Sequence, residues 1–164
     1  MSDDDANKHI KSLYINQAQT REVSYLALDS ARIVRNLIFN KEPEAIVSNK
    51  NQYEKNSSRI DELIRKLDAT SKQDEDVQFM NNIKNARKVY NEYNVEMMEL
   101  AMKEGASDAS AKVLDGSKYQ LQAELLQSLR DLVDDQQKQI EEMVEEAKMA
   151  DSSGVVLARL ILAF

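Results

Sequence analysis

Proline and glycine, the residues that most often end helices and form tight turns, are scarce in this chain. Its 164 residues include one proline and three glycines. Sandwiches, barrels and doubly wound sheets need many more turn residues, because most of their strands end in a turn. The sequence therefore predicts an all-α protein, and its length fits one domain.

Local signals divide the chain into four long helices. Pro43 ends the first helix and fits the first turn of the second. Thr70 or Ser71 is the expected N-cap of the third helix, and Ser107 that of the fourth, within which Gly116 is a weak point. The first helix is predicted to span Ala6–Asn40, and the second to run from Pro43 to Leu67 or Asp68. The third is predicted to end at Gly105, and the fourth to run from Ser107 to Met149.

Short connections between long helices make consecutive helices run antiparallel. At ~1.5 Å per residue, helices of roughly 30 to 40 residues are about 40 to 60 Å long. Residues spaced alternately by three and four form a core stripe in each later helix; in the fourth they are Tyr119, Leu126, Leu129, Val133, Gln136, Ile140, Met143 and Ala147. We expect an elongated antiparallel up-down-up-down four-helix bundle.

The first helix carries more apolar surface than one neighbour covers. Two adjacent lines of apolar residues run along it: Val23, Ala27, Val34 and Leu37 in one, and Leu26, Leu28, Ala31, Ile33 and Ile38 in the other. We expect this helix to contact both its own bundle and a second copy of the chain, most simply in a two-fold dimer.

Charge and composition exclude several classes of function. The net charge of −7 argues against nucleic acid as a partner, since phosphate binding needs a basic face. The chain has no cysteine, so thiolate metal sites and cysteine nucleophiles are excluded. Its single histidine, His9, lies near the N-terminus, where a catalytic Ser-His-Asp triad is poorly placed. We expect no enzyme activity, no cofactor and no metal site.

Polar residues occupy positions on the core stripes where apolar residues are usual. Arg87, Tyr90 and Asn94 are consecutive stripe positions of the third helix, and Ser57 lies on the stripe of the second at a similar depth to Arg87. A buried guanidinium is costly unless it is paired. Three explanations of Arg87 are open. It forms an internal ion pair, its side chain extends to the surface, or an external anion binds to it.

Two more arginines, Arg32 and Arg35, lie on the first helix with only Asp29 nearby to neutralise them. The arginine fork of donors suits carboxylates and phosphates. Solvated surface charges are the alternative, whereas the flanking apolar residues favour an interface on this side of the helix.

The C-terminal ten residues, 155–164, are almost entirely apolar and follow Ser152, Ser153 and Gly154. They are about half as long as the ~20 residues of a spanning helix. We expect residues 1–154 to form the four-helix-bundle domain and 155–164 to begin a second transmembrane helix; a short amphipathic segment is the alternative.

These features resemble the periplasmic four-helix-bundle ligand-binding domain of bacterial methyl-accepting chemotaxis receptors, typified by the enteric aspartate and serine receptors. The segments that carry the likeness are Gln19–Arg21, Ser30–Asn36, Ile83–Tyr90 and Ala101–Gly105. The resemblance implies an inner-membrane receptor with two flanking transmembrane helices. It also implies ligand-binding arginines on the first helix, which Arg35 matches best and Arg32 less well.

Two functions remain open at this point. In the first, Arg87, Tyr90, Ser57 and Asn94 form a site inside the bundle, completed or replaced by Arg35 and Arg32. It would bind a small organic acid, either a di- or tricarboxylate such as malate, succinate or citrate or an aromatic acid. In the second, the chain is a structural or adaptor bundle whose arginines pair internally.

Overall fold

The computed structural model describes residues 3–40, 42–71, 74–103 and 117–161. Within these ranges the chain forms four helices and no strand. They are α1 (Asp3–Phe39), α2 (Pro43–Thr70), α3 (Asp74–Met102) and α4 (Ser117–Ile161). Their packing is that of a four-helix bundle, so the predicted fold class is confirmed.

The connection from α1 to α2 follows the prediction, but that from α2 to α3 does not. Pro43 occupies the first turn of α2, after an extended Glu42. The predicted N-cap role of Thr70 and Ser71 in α3 is wrong. Their hydroxyls donate to the Leu67 carbonyl at 2.8 and 3.0 Å, so they satisfy the last turn of α2 instead.

The fourth helix is longer than predicted. It passes Met149 and Gly154 without interruption and ends at Ile161, because serine and glycine each weaken a helix by at most about 1 kcal/mol without breaking it. The other predicted boundary residues, Gly105 and Ser107, lie outside the described residues, as does Gly116, the predicted weak point. In the described ranges, no helix is both long enough and apolar enough to cross a membrane.

The chain forms two compact units, one of residues 19–132 and one of residues 1–18 with 133–164. In the smaller unit Leu13 and Ile140 are buried. Gln17 in α1 also donates a hydrogen bond to Gln137 in α4 at 3.0 Å. Hydrogen bonds of the Gln17 amide thus link the α1 and α4 segments of this unit.

Two apolar clusters form the core of the larger unit. The first draws on all four helices: Val23, Ala27, Ala31, Ile60, Leu63, Ile64, Leu67, Met80, Ile83, Tyr90, Leu125, Leu129 and Leu132. The second, among described residues, draws on α1, α2 and α3: Ile33, Val34, Leu37, Ile38, Tyr53, Met97, Met98 and Ala101. Burial of these side chains is the main stabilising contribution.

Most of the wide apolar surface of α1 is covered by the chain itself. Seven of the nine residues in its two lines are buried: Val23, Ala27, Ala31, Ile33, Val34, Leu37 and Ile38. Leu26 packs against the first cluster, and only Leu28 is exposed, at 47%. Three helices of the same chain therefore surround most of these lines, and contact of α1 with a second copy of the chain stays a prediction.

Candidate functional site

Arg87 in α3 is a nearly buried cation, with 8% of its side chain exposed. Its Nη2 donates to Ser57 Oγ at 2.6 Å and its Nη1 to Asn91 Oδ1 at 2.8 Å. Its Nε donates to Asp61 Oδ1 at 3.3 Å, in an ion pair whose carboxylate side chain is 61% exposed. The internal ion pair, one of the alternatives for Arg87, is therefore present.

The antiparallel register of α2 and α3 brings these side chains together. Tyr53 donates to Asn91 at 2.8 Å on one side of Arg87, and Lys84 donates to Asp68 at 2.9 Å on the other. Between those contacts, Arg87 faces the turn of α2 that begins at Ser57. The predicted similar depth of Ser57 and Arg87 is thus confirmed, and their role in ligand binding stays a prediction.

Arg87 lines a groove of about 310 Å³ on the outer side of α2 and α3, which we name the cationic groove. Its lining residues are Asp61, Ile64, Arg65, Lys84, Arg87, Lys88 and Asn91. Four cations therefore face one carboxylate, although the whole chain carries a net charge of −7. Such a concentration of positive charge attracts anions.

The four cations of the cationic groove differ in how they are engaged. Arg87 is paired with Asp61, and Lys84 is held by both carboxylate oxygens of Asp68 at 2.9 and 3.1 Å. Arg65 and Lys88 are exposed and have no ion-pair partner among the described residues. The groove thus holds two cations that are already neutralised and two that are available.

A second cavity, of about 340 Å³, lies beside the cationic groove, and Asn91 lines both. We name it the apolar cleft, after Leu37, Met98 and the other apolar residues of its wall. The full lining is Leu37, Lys50, Tyr53, Glu54, Ser57, Ser58, Asn91, Val95, Met98, Glu99 and Met102. It can accept an apolar group next to the hydroxyl of Ser57.

Tyr90 and Asn94 lie in the core rather than on the cationic groove. They are 1% and 0% exposed. Burial raises the pKa of Tyr90 to about 12, although the neighbouring Asn94 amide opposes this shift. Neither the Tyr90 hydroxyl nor the Asn94 amide has a well-oriented hydrogen-bond partner among the described residues. The two side chains are therefore close to each other without forming a good hydrogen bond.

Arg32 and Arg35 are exposed on α1 and line neither the cationic groove nor the apolar cleft. Both Nε and Nη2 of Arg32 donate to Asp29, at 2.9 and 2.7 Å. Burial alone would raise the pKa of Asp29, but hydrogen bonds from Asn56 and Arg32, with the charge of Arg32, lower it. Arg35 has no polar partner among the described residues, so it is the more available of the two.

Sequence reasoning missed Asp61 and Asn91, which complete the Arg87 group. A signal for both exists, because Asp61 follows Ser57 by four residues and Asn91 follows Arg87 by four, and residues with that spacing share a helix face. No cluster of histidine, aspartate or glutamate suited to a metal ion occurs in the part of the chain that the structure describes.

A comparison with known protein families agrees with this architecture. The model of a family described as a four helix bundle sensory module for signal transduction matches residues 5–150. This range contains every residue of the cationic groove and of the apolar cleft. No curated protein and no solved structure matches the chain.

Proposed function

The chain belongs to the four-helix-bundle sensory modules of chemotaxis signal transducers, and we propose that it detects a small organic acid through the cationic groove. The observation that carries this proposal is Arg87. A nearly buried guanidinium opens onto a groove of ligand size, and its carboxylate partner Asp61 is largely solvated. The Asp61 carboxylate is solvated and meets Arg87 through one contact of 3.3 Å, so a ligand carboxylate can replace it at low cost.

The donors around the cationic groove suit a di- or tricarboxylate such as malate, succinate or citrate. Arg87 offers a planar set of N–H donors, of which three are used in the present hydrogen bonds. Two of its five donors thus lie outside these three hydrogen bonds. Arg65 and Lys88 add positive charge for the remaining carboxylates of a ligand.

The other residues that the sequence predicted for the site have different roles in the proposed function. Ser57 positions the guanidinium of Arg87, while Tyr90 and Asn94 form the polar part of the core behind it. Arg35 and Arg32 belong to a separate exposed surface of α1. We propose that this surface lies at the interface of a homodimer, where Leu28 and Phe39 are also exposed, at 47% and 69%.

We propose that the module is periplasmic and belongs to an inner-membrane receptor. The family is an extracytoplasmic sensor module of membrane receptors, which supports this location. Ligand binding between α2 and α3 would change their packing against α1 and α4. Packed helices move between discrete arrangements, so a small axial shift of α4 would carry the signal towards the membrane and the chemotaxis pathway.

A thermal-shift screen of organic acids, amino acids and neutral sugars tests the proposal. An acid that binds only the folded chain stabilises it by ~2.7 kcal/mol at a hundredfold excess over its dissociation constant. We expect succinate or citrate to raise the melting temperature and glucose to leave it unchanged.

Two variants serve as the test and its control in that screen. Arg87→Gln should lose the response to acids, whereas Arg130→Gln, which removes an exposed arginine of α4, should keep it. If no organic acid stabilises the parent chain, the proposal is wrong and a structural or adaptor role is favoured. If Arg87→Gln responds like the parent, the ligand binds elsewhere.

A further inference from the structure

Three charged residues of the cationic groove can set the number of negative groups that a ligand must carry. We propose that Asp61 acts as an internal competitor for Arg87, and that Arg65 and Lys88 make the groove select dianions over monoanions. This inference rests on the proposed function, because it concerns the same groove and the same class of ligand.

The first step concerns Arg87 and Asp61. In the unliganded chain a carboxylate already neutralises the buried guanidinium, through one contact of 3.3 Å. A monocarboxylate that binds Arg87 must displace this contact and so replaces one carboxylate with another. The electrostatic gain is close to zero, and the entropy lost by the bound ligand is not compensated.

The second step concerns the two available cations. Arg65 follows Asp61 by four residues on α2, and Lys88 lies on α3, so each of the two helices that line the groove supplies one available cation. Lys84 is already engaged by Asp68. A second anionic group on the same ligand therefore gains new pairing with Arg65 or Lys88, and each group binds at the effective concentration that the other provides.

Succinate and butyrate provide a matched pair of probes. Both have a four-carbon chain, and butyrate has a methyl group where succinate has its second carboxylate. Isothermal titration calorimetry on the parent chain should give succinate an affinity about fivefold higher than that of butyrate, as one additional partly exposed charge pair predicts.

Two sets of variants separate the roles of these residues. Asp61→Asn keeps a hydrogen-bond acceptor for Arg87 but removes the competing charge, so it should tighten binding of both acids, roughly fivefold. The double variant Arg65→Gln/Lys88→Gln should weaken succinate binding to the level of butyrate while butyrate binding changes little.

Control variants account for the general effect of charge. Glu44→Gln removes a carboxylate from the first turn of α2, outside both the cationic groove and the apolar cleft, and Lys55→Gln/Lys66→Gln removes two cations from the same helix. Neither control should change the ratio of the two affinities. Equal losses for both acids in Arg65→Gln/Lys88→Gln, or no tightening in Asp61→Asn, would overturn the inference.

The failure of this inference is distinguishable from failure of the proposed function. If succinate binds the parent chain and Arg87→Gln abolishes binding, the proposed function stands. In that case, unresponsive Asp61 and Arg65/Lys88 variants reject only the selection of dianions. If the parent chain binds neither acid nor citrate, the proposed function and the inference are both wrong.

Discussion

Asn94 gives the sharpest prediction about stability, because it is a polar side chain buried in the core without a good partner. It is 0% exposed, and neither amide atom has a well-oriented hydrogen bond among the described residues. Asn56 is a matched contrast at 3% exposure. Its amide donates to Asp29 at 2.8 Å and accepts from Gln52 at 2.9 Å.

The expected effects have opposite signs. An amide buried without a hydrogen bond costs ~1–3 kcal/mol, and leucine has the same branching as asparagine with no polar atom. Asn94→Leu should therefore increase the free energy of unfolding by about 1–2 kcal/mol, after allowing for imperfect packing of the larger methyl groups. Asn56→Leu should decrease it by ~1–3 kcal/mol, because the Asp29 carboxylate and the Gln52 amide each lose a partner.

Urea denaturation followed by circular dichroism measures both changes. If the slope against denaturant is unchanged in the variants, the shift in midpoint gives the difference in stability directly. A loss of stability in Asn94→Leu as large as that in Asn56→Leu would refute the reasoning. It would mean that the Asn94 amide is satisfied in solution.

Three further predictions concern pH and association. Because the pKa of Asp29 is lowered in the folded chain, its carboxylate contributes stability above the ordinary pKa of 3.8, and this contribution is lost as pH falls below that value. Asp29→Asn should therefore flatten the acid limb of the profile of stability against pH. The raised pKa of Tyr90 gives stability that is complete below pH 10.0 and is lost as pH rises towards about 12, and Tyr90→Phe should abolish that alkaline loss. Unchanged limbs in these variants would contradict the two assignments. Leu28→Glu should dissociate the proposed dimer in analytical ultracentrifugation, and a parent chain that is monomeric at high concentration would contradict the interface.

The periodic spacing of α3 allows its core face to be predicted from sequence. The positions that alternate by four and three from Ile83 are all buried, including Arg87 and Asn94. Spacing succeeds here because a regular helix places such residues on one side, whatever their chemistry. The same periodicity fails at Tyr119, which is 62% exposed near the start of α4, where Leu125 is the first fully buried residue among the described side chains.

The partner of Arg87 could not be predicted in the same way. Four exposed or half-exposed acidic residues lie on α2 from Glu54 to Asp68, and in the sequence each of them looks like an ordinary surface residue. Which of them meets Arg87 depends on the axial register of α2 and α3 and on the rotamer of each side chain. Helical spacing determines neither quantity, so Asp61 emerges only from the packed structure.

The end of α4 shows a second limit of sequence reasoning. Ser152, Ser153 and Gly154 resemble a helix terminus, yet the helix continues through them to Ile161. Weak helix formers change the free energy of a helix by small amounts, and flanking residues that favour helix outweigh them. A boundary is predictable where a residue prevents the helix physically, as Pro43 does, and less so where the residue is only unfavourable.

The central claim, that an organic acid binds at Arg87, is tested most directly by nuclear magnetic resonance with succinate as the probe. The Arg87 Nε–H signal, which reports the contact with Asp61, should shift in a saturable manner together with the backbone amide of Ser57. The Nε–H of Arg130 on α4 should stay in place. Saturable shifts confined to Arg32 and Arg35 on α1, or no saturable shift at all, would contradict the claim.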